Sequence, residues 1–179
     1  MTVSLVFAVI GPDRPGLVQR LAATVADHDG NWFESRMARL GGKFAGVVLA
    51  SVPDAGADAL RRSLTAFERE GLHVVVEDAP GAEAPHAYRR VRLDVFGQDH
   101  PGIVRDISRA LSERGVNIAE METERSTGAM SAEAMFRLQA DIELPVEVET
   151  AALRAALEDL AGDIMVELVL AEETDGYPR

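Results

Sequence analysis

Hydrophobic residues recur with two different periods along the chain, and each period predicts a different element. Residues 3–11 are almost wholly apolar, which is typical of a buried strand. Leu17, Val18, Leu21 and Val25 follow with the spacing of a helix that buries one side. The pattern therefore predicts a strand followed directly by an amphipathic helix.

Turn signals separate the further elements of the first half. The tripeptide Asp29-Gly30-Asn31 ends the first helix, and Gly41-Gly42 suits the positive φ angles of a two-residue hairpin loop. A second amphipathic helix carries Leu60, Leu64 and Phe67 on one side. The predicted elements are a strand over 3–11, a helix from Pro15 to about His28, strands over 32–40 and 44–53, a helix over 58–70 and a strand over 72–77.

The second half shows the same order of elements. Residues 134–144 alternate between apolar and polar side chains, which predicts a strand with one solvent-facing side. The predicted elements are a strand over 88–97, a helix over 101–114, strands over 116–126 and 134–144, a helix over 148–160 and a strand over 164–171.

The two halves are copies of one unit. A shift of 86 residues places GPDRPGLV (11–18) on GQDHPGIV (97–104) without a gap, and nine of the 31 positions over 9–39 are then identical. The same shift places Arg39 on Arg125. Because the identities cluster at turn residues, they indicate a duplication rather than chance similarity.

Each copy has the order βαββαβ, which predicts an α+β protein built from two tandem ferredoxin-like units. Each unit is expected to form a four-stranded antiparallel sheet with two helices on one face. We expect the first domain over 1–78, a Pro-, Gly- and Ala-rich linker over 79–87, the second domain over 88–172 and a polar tail over 173–179.

The repeated motif Gly-x-Asp-x-Pro-Gly occupies the strand-to-helix loop of each copy, at 11–16 and 97–102. The glycines leave backbone amides uncovered at a helix N-terminus, where the helix dipole favours a carboxylate or another small anion. The aspartates, Asp13 and Asp99, are placed to accept hydrogen bonds from an ammonium group. An asparagine fifteen residues after each motif, Asn31 or Asn117, is expected to come alongside the aspartate at the start of the following strand and to offer one donor and one acceptor group. The motif therefore suggests recognition of a zwitterionic amino acid.

A structural explanation of the same residues stays open. An aspartate that precedes a helix is most often its N-cap, so Asp13 and Asp99 are expected to cap as well as, or instead of, binding a ligand. Asn31 and Asn117 follow turn residues, so backbone capping is as well supported as ligand contact.

The motif GPDRPGLV, repeated as GQDHPGIV and followed in the second copy by GVNI, resembles that of tandem ACT domains over residues 3–78 and 88–171. Two such domains without an attached enzyme resemble the glycine cleavage system transcriptional repressor family. This resemblance implies an amino-acid ligand held between paired ACT domains, and a DNA-binding regulator as protein partner. The implied ligand-binding residues are Gly11, Asp13, Pro15, Gly16, Leu17 and Asn31 in the first copy, and Gly97, Asp99, Pro101, Gly102, Ile103 and Asn117 in the second.

The two copies of the motif also differ from each other. Arg14 stands where the second copy has His100, and Pro12 stands where it has Gln98. Some ACT domains have lost ligand binding, so the resemblance leaves open whether one copy, both or neither binds.

Composition and charge narrow the function classes. The net charge of −12 argues against unaided binding of nucleic acid or of an anionic membrane. The absence of cysteine excludes disulfides, thiolate zinc sites and thiol nucleophiles, and the four histidines form no spaced ligand set. We therefore expect no metal, no cofactor and no enzyme activity. The N-terminus resembles no signal peptide and no apolar run reaches membrane-spanning length, so we expect a cytoplasmic location.

These observations together predict a non-catalytic regulatory protein that binds a small amino acid, such as glycine or serine, and modulates a partner such as a transcriptional regulator. A homodimer is expected. The alternatives are a ligand-free structural dimer of ACT domains and a regulatory subunit of an enzyme of amino-acid metabolism. Residues 1–87 carry eight basic and eleven acidic residues, against ten and nineteen in residues 88–179, so the second copy is expected to present an acidic face.

Overall fold

The computed structural model describes residues 1–79, 88–127, 133–160 and 165–170, with side chains up to Met165. The chain divides into two compact units, Met1–Glu83 and Ala84–Arg179. The expected linker, apart from Ala79, and the expected polar tail lie outside the described residues.

The first domain has the predicted order of elements. Its strands and helices are β1 (Thr2–Pro12), α1 (Leu17–Ala26), β2 (Asn31–Leu40), β3 (Lys43–Pro53), α2 (Ala57–Thr65) and β4 (His73–Asp78). The sheet order is β2-β3-β1-β4, with every pair antiparallel. The helix predicted over 58–70 is α-helical only as far as Thr65 and continues as a 3-10 helix over Ala66–Glu70.

The second domain repeats this topology. Its elements are β5 (Tyr88–Gln98), α3 (Ile103–Ser112), β6 (Asn117–Thr127), β7 (Ala134–Pro145), α4 (Thr150–Glu158) and β8 (Met165–Leu170), and its sheet order is β6-β7-β5-β8. Both domains therefore confirm the ferredoxin-like α+β fold predicted from the repeat.

Each core lies between one sheet face and the two helices of its domain. In the first domain Leu5, Phe7 and Val9 alternate inward from β1 and meet Leu21 of α1 and Leu60 of α2. Among the described residues, no polar or charged residue is buried. The helices cover a single face of each sheet, so the polar groups of each domain, including those of the repeated motif, lie at the surface.

The second core is assembled in the same way from a separate set of residues. Val91, Leu93 and Val95 alternate inward from β5 and pack with Ile107 of α3 and Leu153 of α4. The equivalent positions of the two domains are filled by apolar side chains, with Phe7 of the first core replaced by Leu93 in the second, which explains how the duplicated fold tolerates their low sequence identity.

Candidate functional site

The loop between the first strand and the first helix has the same backbone conformation in both domains. Gly16 is the N-cap of α1 with φ +83°, and Gly102 is the N-cap of α3 with φ +95°. The amide of Arg20 donates to the carbonyl of Gly16, and that of Asp106 donates to the carbonyl of Gly102, each at 3.0 Å. Because side chains with a Cβ are strained at such φ angles, the repeated glycine is required by this turn.

Neither helix has a side-chain cap, which corrects one of the two interpretations of the aspartates. The N-caps are glycines without a side-chain hydrogen bond, so Asp13 and Asp99 do not cap α1 and α3. Pro15 and Pro101 precede these caps, and the helices begin two residues later than the sequence predicted because Gly16 and Gly102 adopt left-handed conformations. The amides of residues 18–19 and 104–105 therefore remain available to an external acceptor.

Both aspartates instead form an ion pair with the arginine at the end of the second strand. Asp13 Oδ2 lies 3.3 Å from Arg39 Nε, and Asp99 Oδ2 lies 2.7 Å from Arg125 Nε. The aspartates are partly exposed, whereas about seven-tenths of each arginine side chain is exposed. The site thus contains a positively charged side chain that is identical in both copies of the sequence and that was not among the predicted site residues.

Gly11 is required by close packing rather than by its φ angle. A Cβ at this position would lie 2.8 Å from the carbonyl oxygen of Gly71 and 3.2 Å from Cα of Leu72. The corner that leads into β4 therefore presses directly against the end of β1. The pairing of β1 with β4 ends just before this contact, at Ile10 and His73, whereas its pairing with β3 continues to Pro12.

Leu17 and Ile103 contribute to this site only through their backbones. Both side chains are buried in the cores, at 6% and 4% exposure. Their amides make long contacts within the loops, from Leu17 N to Arg14 O at 3.4 Å and from Ile103 N to His100 O at 3.3 Å. Of these two residues, an incoming ligand could use the amides and not the side chains.

The asparagines do not lie beside the loop of their own domain. Asn31 is in register with Ser51, which pairs with Ser4 of β1, seven residues before Gly11. At about 3.3 Å per residue, this separation is roughly 20 Å along the sheet. The expectation that Asn31 and Asn117 come alongside the aspartates is therefore wrong within one domain.

The asparagine of the second domain is equally far from the loop of its own domain. Asn117 pairs with Glu143, which pairs with Arg90, again seven residues before Gly97. Its side-chain amide donates to Oε2 of Glu143 at 2.9 Å. Asn117 thus has a local partner on the neighbouring strand, at the end of the sheet opposite to the loop.

The surroundings of the two helix N-termini differ. In the first domain the space above Gly16 is open to at least 4 Å. In the second, the Arg105 guanidinium lies over Gly102, 2.9 Å from where a Cβ would stand, and donates to Asp106 at 3.0 and 3.1 Å. These hydrogen bonds lower the pKa of the Asp106 carboxyl, and the nearby positive charges of Arg105 and Arg109 act in the same direction. A ligand carboxylate would therefore meet an open loop in the first domain and a guanidinium in the second.

A surface cleft adjoins the aspartate–arginine pair of the second domain. It has a volume of about 340 Å³ and is lined by Arg125, Ser126, Thr127 and Ala134. The amide of Asp99 donates to the carbonyl of Ala134 at 2.8 Å, which ties the loop to the wall of the cleft. The cleft is large enough for a small amino acid.

Two kinds of feature are absent from the described residues. No three histidine, aspartate or glutamate side chains among them are grouped so that they could hold a metal ion. In the same part of the chain, no helix is both long and apolar enough to cross a membrane.

Comparison with known proteins identifies relatives of both domains. Sequence profiles of the ACT domain match residues 4–77 and 91–161. An unknown protein from Galdieria sulphuraria has a crystal structure with a TM-score of 0.84 and 28% identity, covering 96% of this chain and 100% of that one. A candidate glycine cleavage system transcriptional repressor has a TM-score of 0.67 and 19% identity over 96% and 99% of the two chains, a likeness of fold alone. No curated protein matches the chain in sequence.

Proposed function

Because the chain belongs to the ACT domain family over most of its length, we propose that it is a non-catalytic regulatory protein that binds a small amino acid. The binding elements are the strand-to-helix loops at 11–16 and 97–102. The observation that carries the proposal is the pair of uncapped helix N-termini, each formed by a glycine in a left-handed conformation. Uncapped amides and the positive end of the helix dipole favour the carboxylate of such a ligand.

The ion pairs supply the second half of the proposed recognition. Asp13 and Asp99 are only partly exposed, and each carboxylate belongs to the loop itself and is paired with an arginine. We propose that the aspartate accepts hydrogen bonds from the ligand ammonium group, while the paired arginine balances its charge when the site is empty. We propose a small ligand such as glycine or serine because the aspartate and the glycine at the helix N-terminus are only three residues apart in each loop.

The asparagines can contact the proposed ligand only if two ACT domains bind it together. Asn31 and Asn117 lie at the far end of their own sheets, about 20 Å from the loops. A ligand that touches both a loop and an asparagine must therefore lie between two ACT domains. The ligand would then regulate a protein partner, for which we propose a DNA-binding regulator in the cytoplasm, by favouring one state of this assembly.

Calorimetric titration of the full chain with glycine, serine and the branched and aromatic amino acids tests this function. We expect saturable binding of at least one small amino acid, and its loss in Asp13→Ala, in Asp99→Ala or in the double variant. Arg61→Ala, which removes an ion pair with Asp78 elsewhere in the first domain, is the matched control and should bind normally. A ligand that binds the double variant unchanged would show that the loops are not the site.

The second candidate is a ligand-free interaction protein. The observation that favours it is that both aspartates already have an arginine partner, so each loop is electrostatically satisfied without a ligand. Absence of heat with every amino acid, from a chain that folds normally, would support this function over the first.

A further inference from the structure

The helices that follow the two strand-to-helix loops carry different charges where they begin. The third and fourth residues of α1 are Gln19 and Arg20, whereas those of α3 are Arg105 and Asp106. The first turn of α1 contains no acidic residue, and that of α3 contains Asp106. A carboxylate in the first turn is stabilised by the positive end of the helix dipole. The α3 helix therefore carries an anion of its own in its first turn, and α1 does not.

The carboxylate of Asp106 fixes a guanidinium over the second loop. Arg105 donates from Nε and from Nη2 to the two oxygens of Asp106, at 3.0 and 3.1 Å, and Arg109 donates to the same carboxylate at 3.1 Å. A two-point contact of this kind sets the orientation of the guanidinium. In that orientation Nη2 of Arg105 lies 2.9 Å from where a Cβ of Gly102 would stand. The hydrogen bond from Arg105 also lowers the pKa of Asp106, which keeps this carboxylate ionised.

In the first domain the charged residue of the same turn is engaged elsewhere. Arg20 donates from Nη1 and Nη2 to the carboxylate of Glu70, at 2.7 and 2.6 Å, and its guanidinium lies 5.0 Å from the centre of the Phe67 ring. Both partners belong to the 3-10 helix over Ala66–Glu70. A Cβ at Gly16 would meet no atom within 4 Å. The start of α1 is therefore open.

The aspartate–arginine pairs differ in the same direction. The side chain of Asp13 is 35% exposed and lies 3.3 Å from Arg39, whereas that of Asp99 is 23% exposed and lies 2.7 Å from Arg125. Charge-assisted hydrogen bonds are strongest at the shorter of these distances. Asp13 is therefore the aspartate that exchanges its arginine for a ligand ammonium group more easily.

We propose that the loop of the first domain is the amino-acid site of this chain, and that Arg105 and Asp106 close the loop of the second domain. This inference rests on the proposed function, because it assigns that function to one of the two loops. A ligand carboxylate at α3 would have to displace a guanidinium that is already paired, and it would then lie beside the like charge of Asp106. At α1 the same carboxylate meets free amides and the positive end of the helix dipole.

Amide chemical shifts of the ¹⁵N-labelled full chain, titrated with glycine, serine and acetate, test this assignment. Acetate is included because it carries the carboxylate without the ammonium group. We expect saturable shifts at the amides of Val18 and Gln19, whose first-turn donors are free, and none at residues 104–105 under the same conditions.

A double variant opens the second loop. Arg105→Gln/Asp106→Arg copies Gln19 and Arg20 of the first domain, and it should add saturable shifts at residues 104–105 to those of the first loop. Arg109→Gln is the matched control, because it removes another contact of Asp106 and leaves Arg105 over Gly102. This control should behave as the native chain does.

The reciprocal variant closes the first loop. Gln19→Arg/Arg20→Asp transfers the pair of the second domain to α1, and it should weaken binding there at least about tenfold, since a charge-assisted contact must then be broken by the ligand. Arg20→Ala controls for the loss of the Glu70 contact and should bind within a few-fold of the native chain. Fluorescence of Trp32, which packs against Phe7, verifies that the first domain is folded in both variants.

The possible outcomes separate this inference from the proposed function. Equal shifts in both native loops, shifts in the second loop alone, or a second loop that stays silent in Arg105→Gln/Asp106→Arg would overturn the inference and leave amino-acid binding intact. If acetate shifts only the first loop and neither amino acid binds, the closure of the second loop is supported and the proposed function fails. Silence of both native loops toward all three compounds would overturn both.

Discussion

Alanine substitution at two loop glycines of the first domain should have unequal effects on stability, because the two positions require glycine for different reasons. Gly11→Ala places a Cβ 2.8 Å from the backbone oxygen of Gly71 and 3.2 Å from Cα of Leu72. Neither backbone atom can move without shifting the start of β4. By analogy with overpacked cores, we expect a loss of about 2–3 kcal/mol.

Gly16→Ala meets no neighbour within 4 Å, and its cost comes only from φ +83°. An L-residue in the left-handed region costs roughly 1 kcal/mol, and asparagine tolerates this region better than alanine. We therefore expect the loss of stability to decrease in the order Gly11→Ala, Gly16→Ala, Gly16→Asn. For a domain of this size, 1 kcal/mol corresponds to about 4–8 °C in Tm.

The single tryptophan provides the assay. Trp32 lies on β2 with its ring edge-to-face against Phe7, at a centroid distance of 5.9 Å. Its fluorescence therefore reports unfolding of the first domain, independently of the second. Urea titrations followed at this residue should give the predicted order. A Gly16→Ala variant that is as unstable as Gly11→Ala would refute the distinction between strain and close packing.

Two further substitutions test local interactions of each domain. In the second domain, hydrogen bonds from Arg137 first, and then from Gln139, lower the pKa of Asp94. The stabilisation by these hydrogen bonds is therefore complete above the unfolded-state pKa near 4 and is lost as the pH falls through the lower folded-state pKa. The variant Asp94→Asn should remove this loss of stability at acidic pH, as measured by circular dichroism melts. Asp94→Asn should leave the Trp32 transition unchanged. In the first domain, Ser63→Ala removes the contact of Oγ with Nε2 of His28 at 3.2 Å and should cost about 0.5–1 kcal/mol by urea titration, whereas no change would contradict this contact in solution.

The fold could be predicted from sequence because the repeated pattern constrains both halves at once. Strand and helix periods agree in two copies, so an error in one half would conflict with the other. Helix starts were predicted two residues too early because a proline near a helix usually occupies its first turn. Here Gly16 and Gly102 turn into the left-handed region first, and this φ angle is not evident from residue type alone.

The candidate site was harder to predict than the fold. The spacing of Asn31 after the loop suggested proximity, but β2 runs in the same direction as β1, so its start lies at the opposite end of the sheet from the loop. Topology, and not sequence distance, decides this separation. Conversely, the pairing of the aspartates with Arg39 and Arg125 could have been suspected from the sequence, since the arginine follows the aspartate by 26 residues in both copies.

The sequence also does not show which residues of β1 face away from the core. Val6 and Ala8 look like ordinary members of an apolar strand. Only the register of β3 and β4 shows that they face away from the core, and only the second domain shows that Arg92 and Asp94 are compatible with the same position.

Titration of the ¹⁵N-labelled chain with glycine and serine, followed by amide chemical shifts, tests the central claim most directly. The proposed site predicts saturable shifts at the amides of residues 16–18, of 102–104, or of both, with smaller changes at Arg39 or Arg125 as the ion pair rearranges. Asp13→Ala/Asp99→Ala should abolish these shifts. Saturable shifts confined to residues outside the two loops, or no shifts at millimolar amino acid, would contradict amino-acid binding at the repeated motif.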